Sequence, residues 1–289
     1  MMREGSGTPW PDWIEDPPQP RPTEPPPGHV AVTFVGHSTF LIRFAGGPTL
    51  LTDPIWSERC SPLSFLGPRR VRRPGLALDA LPPLDAVLLS HNHYDHMDLP
   101  TLRRLRAPLI LTGLGNTAIL DRAGVVGGED LDWWESRDVA GAAITYVPMR
   151  HFSARGIRDR GKALWGGFAV HTAAGALIFC GDTGYGPHLA EVGARLGPFA
   201  VGLVPIGAYE PRWFMQVVHM NPEEALHAQS DLRVGTAIAM HFGTFKLTQE
   251  GVEAPAEALR AGRAASGLRA EGFRVPLVGE TLILPLSAA

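Results

Sequence analysis

Cysteine is scarce, with only Cys60 and Cys180 in 289 residues. Two thiols make no disulfide framework, which points to a reducing compartment. A long uncharged apolar run is missing, and so is a basic segment leading into an apolar one. A membrane-spanning helix and export by a standard signal are therefore not expected, and a cytoplasmic location is. Excess positive charge is absent too: 26 Lys and Arg against 29 Asp and Glu leave a net −3. A chain so balanced lacks the electrostatic footprint of a DNA or RNA binder, and nucleic acid is not an expected partner. There is no internal repeat of solenoid period.

What is present begins with apolar residues at 45%, ample for one large α/β domain or two small ones. Proline crowds the first 28 residues, at Pro9, Pro11, Pro17, Pro18, Pro20, Pro22 and Pro25 to Pro27. Proline fixes φ and removes a donor, so residues 1–28 are read as an extended arm and residues 29–289 as the folded domain. Trp10, Trp13 and Ile14 could anchor the arm on a partner or membrane, although Asp12, Glu15 and Asp16 disfavour an anionic surface.

The domain opens with β-branched runs, Val30–Val35, Ser38–Phe44 and Thr49–Thr52, which read as meandering strands. His37, between Gly36 and Ser38, reads as a turn residue. Asp53 either forms the turn before Pro54 or partners a ligand histidine. Arg69, Arg70, Arg72 and Arg73 read as a solvated loop, or as an attractor for an anionic substrate. Farther on, Leu131–Trp134 and Ala143–Val147 read as strands. Asn221-Pro-Glu-Glu224 reads as a capped helix start.

The run Ala86–Ser90 reads as a buried strand that delivers His91, His93, Asp95 and His96 within six residues. Side chains alternate along an extended chain, so His91 and His93 are expected to point the same way. Asp95 and His96 follow as the chain turns into a helix over Asp98–Arg106. Three imidazoles and a carboxylate suit zinc and tolerate iron or manganese. Other predicted strands also end in metal-competent residues: His151, Asp182 and His241. Seven ligands suit two ions. One would take His91, His93 and His151, the other Asp95, His96 and His241, with Asp182 bridging and one position on each open to a shared water. His29, His171, His188 and His227 are assigned to surface or packing.

His91-x-His93-x-Asp95-His96, followed by His151, Asp182 and His241, resembles the metallo-β-lactamase superfamily. More specific strings resemble the N-acylphosphatidylethanolamine-hydrolysing phospholipase D family. They run from Gly36-His37 through Leu51-Thr-Asp-Pro-Ile55, Ser90-His-Asn-His-Tyr-Asp-His96, Leu131-Asp-Trp-Trp-Glu135, Leu164-Trp-Gly166, Cys180-Gly-Asp-Thr-Gly-Tyr185 and Pro205–Met215 to His241-Phe-Gly-Thr-Phe245. The likeness implies an α/β four-layer αβ/βα sandwich, the metallo-β-lactamase fold, with a metal pair between two sheets. It implies two Zn2+ ions, with iron or a mixed pair also compatible, and a phosphodiesterase acting on a lipid or amphiphilic phosphodiester. Peripheral membrane contact and a homodimer are compatible with it. Asp53 matches the family's aspartate after the third strand, which favours the ligand-partner reading, and His219 matches a histidine near the substrate phosphate. On chemistry, His219 is a candidate general acid or orienting hydrogen bond. Tyr209, Trp213, Phe214 and Met215 would supply an adaptable apolar wall for acyl chains, and Arg212 would meet a phosphate or pair with Glu210.

Departures bear on the headgroup. Ser64 stands where the family carries an amide side chain near the phosphate, and Val218 stands where it carries a polar amide. The longer N-terminal region of the mammalian enzymes has its counterpart here only in the proline-rich arm. A lactone, a β-lactam or a soluble phosphodiester is the competing substrate class. A non-catalytic lipid binder is the competing function, disfavoured by an intact set of seven ligands.

Overall fold

Period-two alternation of apolar residues builds two sheets with distinct faces. In the computed structural model, which describes residues 7–105, 107–267 and 269–287, the first sheet contains seven strands. They are β1 (His29–Gly36), β2 (Thr39–Phe44), β3 (Thr49–Thr52), β4 (Ala86–Leu88), β5 (Ile110–Gly113), β6 (Gly128–Leu131) and the last strand of the chain, β14 (Thr281–Pro285). Their order is β14-β1-β2-β3-β4-β5-β6. The second sheet holds β7 (Ser136–Val139), β8 (Ala142–Pro148), β9 (Gly166–Thr172), β10 (Gly175–Phe179), β11 (Phe199–Pro205), β12 (Val234–Met240) and β13 (Phe273–Arg274). It is ordered β13-β12-β11-β10-β9-β8-β7.

Alternate residues of one strand serve different cores. Phe40, Ile42 and Phe44 of β2 enter the core between the sheets, together with Phe168, Phe179 and Leu203 from the other sheet. Leu41 of β2, Leu51 and Val87 face a second core beneath α1 (Leu99–Leu105) and α2 (Thr117–Arg122). On the far side α3 (Pro187–Leu196), α5 (Pro222–Asp231) and α6 (Ala254–Ala265) cover the second sheet, and α4 (Arg212–Met215) is a single turn. The four layers are helices, sheet, sheet, helices: the αβ/βα sandwich. Each fully buried Phe or Leu contributes roughly 1.5–3 kcal/mol relative to exposure.

Helix α5 starts as its sequence predicts. The Asn221 side chain accepts from the Glu224 N–H at 2.8 Å, and Glu224 accepts from the Asn221 N–H at 3.0 Å.

Elsewhere local pattern misleads. The strand expected at Leu131–Trp134 is β6 ending at Leu131, followed by a turn with Trp134 at φ 73°. Asp132 and Glu135 hold that turn through the N–H groups of Trp133 and Asp132. The indoles supply packing from the turn: the Trp133 ring N–H donates to the Trp165 carbonyl at 2.8 Å, and Arg195 lies over Trp134. The strand before the histidine motif stops at Leu88, so His91 and His93 lie beyond its last paired residue. The helix expected over Asp98–Arg106 is α1, and Arg106 lies outside the described residues.

Among the described residues of the arm, 7–28 carry no regular element. They bind the domain itself: Thr8 N–H donates to Gln249 O, the Trp10 indole to Glu250 O and Ile14 N–H to Val71 O. Residues 1–6 of the arm lie outside the described residues. The arginine run is divided: Arg69 and Arg73 are exposed, as a solvated loop would have them, whereas Arg70 and Arg72 turn inward. Arg70 is buried and donates to the Ser57 and Ile55 carbonyls, while Arg72 pairs with Asp16 and Glu253. Among the described residues no helix is long and apolar enough to cross a membrane.

Candidate metal centre

Strand direction decides where the polar residues meet. β2 is antiparallel to β1 and β3, and β3 is parallel to β4, so β1, β3 and β4 run the same way. By the same reasoning β8, β10 and β12 share one direction in the second sheet. His37, Asp53 and the His91–His96 loop follow the C-terminal ends of β1, β3 and β4. His151, Asp182 and His241 follow β8, β10 and β12. Carboxyl ends of parallel strands are where loops converge on a site.

All seven residues expected as ligands come together there, in two groups sharing one carboxylate. His93 Nδ1 lies 2.9 Å from His91 Nε2 and 3.2 Å from His151 Nε2. Asp95 Oδ2 lies 3.3 Å from both His96 Nε2 and His241 Nε2. Asp182 Oδ2 sits between the groups, 3.1 Å from His96 Nε2 and from His241 Nε2. It is 3.8 Å from His151 Nε2 and 4.0 Å from His91 Nε2.

The donor set fits a cation on structural grounds. His96 Nε2 and Asp182 Oδ1 are buried without a hydrogen-bond partner, although His96 Nε2 is close to two carboxylates. In the first group three ring nitrogens face one another within 4.8 Å, a contact that hydrogen bonds among neutral imidazoles satisfy poorly. Clusters of this kind are capable of binding metal.

Partners outside the cluster set the tautomers. Asp53 Oδ2 accepts from His96 Nδ1–H at 2.6 Å, leaving Nε2 for the cluster. Asp53 also accepts from the Ser90 hydroxyl at 2.6 Å and the Ser90 N–H at 2.8 Å. Ser90 Oγ in turn takes His91 Nδ1–H at 2.9 Å. One carboxylate thus orients a ring in each group. It also terminates β3, at φ 31°, so Asp53 is both turn residue and partner.

Charge is shared accordingly. Burial alone would raise Asp182, but the charges of His241 and His96 outweigh it and hold the carboxyl well below the usual range. Asp95 is also held well below that range, by His96 against its own burial. Burial would lower His96 and His241, yet Asp182 and Asp95 keep His96 well above an ordinary imidazole, and Asp182 lifts His241 to about 9. Burial pushes Asp53 up. Burial lowers His91 and His151 well below normal, His93 and His37 to about 4, and His219 to about 3. Protons on His96 and His241 therefore supply the positive charge that these carboxylates demand, and a cation would replace them.

From its neighbours His37 reads as a turn residue. It is in a turn, at φ 57°, but it is also buried, with Nε2 2.9 Å from Asp95 Oδ2. No spacing rule connects it to the motif, because its partner is 58 positions away. His188, assigned to surface or packing, meets the Thr183 hydroxyl beside Asp182 at 2.9 Å.

His219 reaches the cluster from the segment between α4 and α5. Its Nδ1 is buried without a hydrogen-bond partner, 4.0 Å from Asp182 Oδ2. Arg212 supports that segment: its guanidinium donates to the His219 carbonyl at 3.0 Å and to Glu224 Oε2 at 2.8 Å. Only its backbone N–H meets Glu210, so Arg212 braces His219 and does not itself face the cluster. Trp213 and Phe214 are 78% and 54% exposed, Met215 and Tyr209 half-buried. Ser64 lies on an exposed loop beside Leu63, Phe65 and Leu66. That loop borders a cleft of about 590 Å³, which Tyr94 and Arg155 also line. Arg155 donates to the Asn92 and Met97 carbonyls, joining the cleft to the back of the histidine motif.

A family model described as the beta-lactamase superfamily domain matches residues 49–242. The N-acyl-phosphatidylethanolamine-hydrolyzing phospholipase D 1 of Caenorhabditis elegans is 37% identical over 229 residues, covering 74% of this chain and 64% of that protein. The mitochondrial N-acyl-phosphatidylethanolamine-hydrolyzing phospholipase D of Saccharomyces cerevisiae is 33% identical over 237 residues, covering 78% and 50%. A protein of Mycobacterium tuberculosis described as uncharacterized is 42% identical over 241 residues, covering 80% and 63%. The chain thus spans between half and two thirds of the length of these relatives. Among solved structures, an isothiocyanate hydrolase from Delia radicum gut bacteria shares the fold, with a TM-score of 0.70 at 21% identity. It covers 87% of this chain and 98% of that one.

Proposed function

Since the chain belongs to the metallo-β-lactamase superfamily, we propose that it is a dinuclear-metal phosphodiesterase of the N-acylphosphatidylethanolamine phospholipase D type. Its substrate is a lipid or amphiphilic phosphodiester. The observation that carries the two-ion reading is the position of Asp182 Oδ2, within 4.0 Å of ring nitrogens from both histidine groups. His91, His93 and His151 would hold one ion, Asp95, His96 and His241 the other, and Asp182 both. Bound divalent cations, zinc by donor chemistry, supply Lewis-acid stabilisation and a lowered water pKa.

The chain's own residues do the rest. In the hydrolysis, water adds to phosphorus, the P–O bond to the leaving alcohol breaks, and that oxygen takes up a proton. His219 Nδ1, buried without a hydrogen-bond partner, would hydrogen-bond an oxygen of the phosphodiester. Arg212 keeps that imidazole in place through its backbone carbonyl. Trp213, Phe214, Met215 and Tyr209 offer the apolar wall for acyl chains, and Ser64 stands on a second apolar loop. Trp213 and Phe214 would also rest against a lipid surface, which makes peripheral membrane contact part of the same reading.

The test is a substrate panel on purified protein, before and after chelation and with Zn2+ restored. It comprises N-acylphosphatidylethanolamine, bis-p-nitrophenyl phosphate, a lactone and a chromogenic cephalosporin. Phosphatidic acid release that chelation abolishes and Zn2+ restores is expected. Lactone or cephalosporin turnover without phosphodiester hydrolysis would overturn the substrate class. For His219→Ala we expect kcat to fall by about 100- to 10,000-fold with unchanged metal content, the range for a lost proton-handling group. Wild-type turnover in that variant would return His219 to a packing role.

A further inference from the structure

We propose that His37 is a positioning residue for one of the two ions, clamping Asp95 through its ring and His241 through its backbone. The proposal rests on the two-ion reading above.

His37 and Ser38 form the connection between β1 and β2, where Gly36 pairs with Thr39. A two-residue turn of this kind with positive φ favours Asn, Asp or Gly. Histidine at φ 57° carries a backbone cost that those residues would reduce or avoid. What the imidazole does there offsets that cost.

Its Nε2–H donates to Asp95 Oδ2 at 2.9 Å, the oxygen that lies 3.3 Å from both His96 Nε2 and His241 Nε2. A carboxylate so held cannot rotate away from the point where those three atoms converge. The backbone contributes at the same time. The His37 carbonyl accepts from His241 N–H at 2.8 Å, and its N–H donates to Thr244 Oγ1 at 3.0 Å. Because His241 is itself at φ 59°, that backbone bond fixes a residue whose conformation is not self-supporting. The His37 ring packs 4.2 Å from the His241 ring, 5.4 Å from His96 and edge-on to Phe245. All these contacts go to the group of Asp95, His96 and His241, or to its supports Thr244 and Phe245. His37 therefore acts selectively on one ion.

The experiment compares His37→Asn and His37→Gly, which both suit the left-handed turn and both remove the ring, with His37→Gln, whose amide can still donate. Zn2+ stoichiometry and stepwise affinity are measured after dialysis against a chelator series, alongside thermal melting of the metal-free proteins. Wild type is expected to hold two ions. The Asn and Gly variants are expected to bind one ion normally and the other about 10- to 100-fold more weakly, with partial rescue in His37→Gln. A purely structural role would shift melting and weaken both ions together. Two ions at wild-type affinity in both ring-deleted variants would overturn the role of His37 alone. A single ion in the wild type would instead sink the two-ion reading from which it starts.

Discussion

Asp182→Asn should leave a folded protein whose hydrolytic turnover has fallen by about 100- to 1,000-fold or more, the scale of removing one preorganised electrostatic element. It should also hold less than its full complement of metal. The amide keeps the shape of the side chain but removes the charge. Asp182 is buried, its Oδ2 within 3.1 Å of His96 Nε2 and His241 Nε2, and its Oδ1 has no protein partner. Both oxygens are therefore available to cations, and an amide offers one neutral oxygen where two ions compete. Metal analysis and single-substrate kinetics on the same preparation check this. Near-normal turnover and metal content in the variant would rule out the shared carboxylate, and the two-ion arrangement with it.

Asp53→Asn should weaken both ions, in contrast to the one-sided effect expected at His37. Asp53 touches neither cluster centre, but it orients His96 directly and His91 through Ser90. Loss of such an outer partner typically costs about 10- to 100-fold in metal affinity. Asn tolerates the positive φ of this position, so the substitution tests charge and hydrogen bonding rather than the turn. The metal-free protein should also lose about 1–3 kcal/mol of stability, because the buried His96 Nδ1–H then faces a weaker acceptor. Stepwise metal titration with urea denaturation of the chelated protein measures both effects. Unchanged values for both would leave Asp53 as a turn former before Pro54.

The three histidine functions depend on different parts of the molecule. The rings of His91, His93 and His96 lie in one loop after β4, held from behind by Asp53, Ser90 and Arg155. His219 depends on the brace from Arg212 to Glu224 at the start of α5. His37 and His241 support each other across the two sheets. Substitutions in these three places should therefore be separable in their effects on metal and on turnover.

The chain itself determined much of this protein. Apolar runs marked β1 to β4 and β8, and the Asn221 capping signal marked the start of α5, because such features depend on neighbours a few residues apart. The density of His91, His93, Asp95 and His96 announced a metal-competent loop for the same reason. The strings shared with the phospholipase D family then carried the αβ/βα sandwich. Only tertiary structure decided that Leu131–Trp134 turns instead of extending, since its indoles find partners at Trp165 and Arg195 far along the chain. Only it revealed that Arg212 braces His219, that Arg70 is interior, and that His37 grips Asp95. His37 meets a residue 58 positions away. Arg212 and Arg70 reach partners seven to fifteen positions off across irregular chain, where no fixed period tells which group will be met.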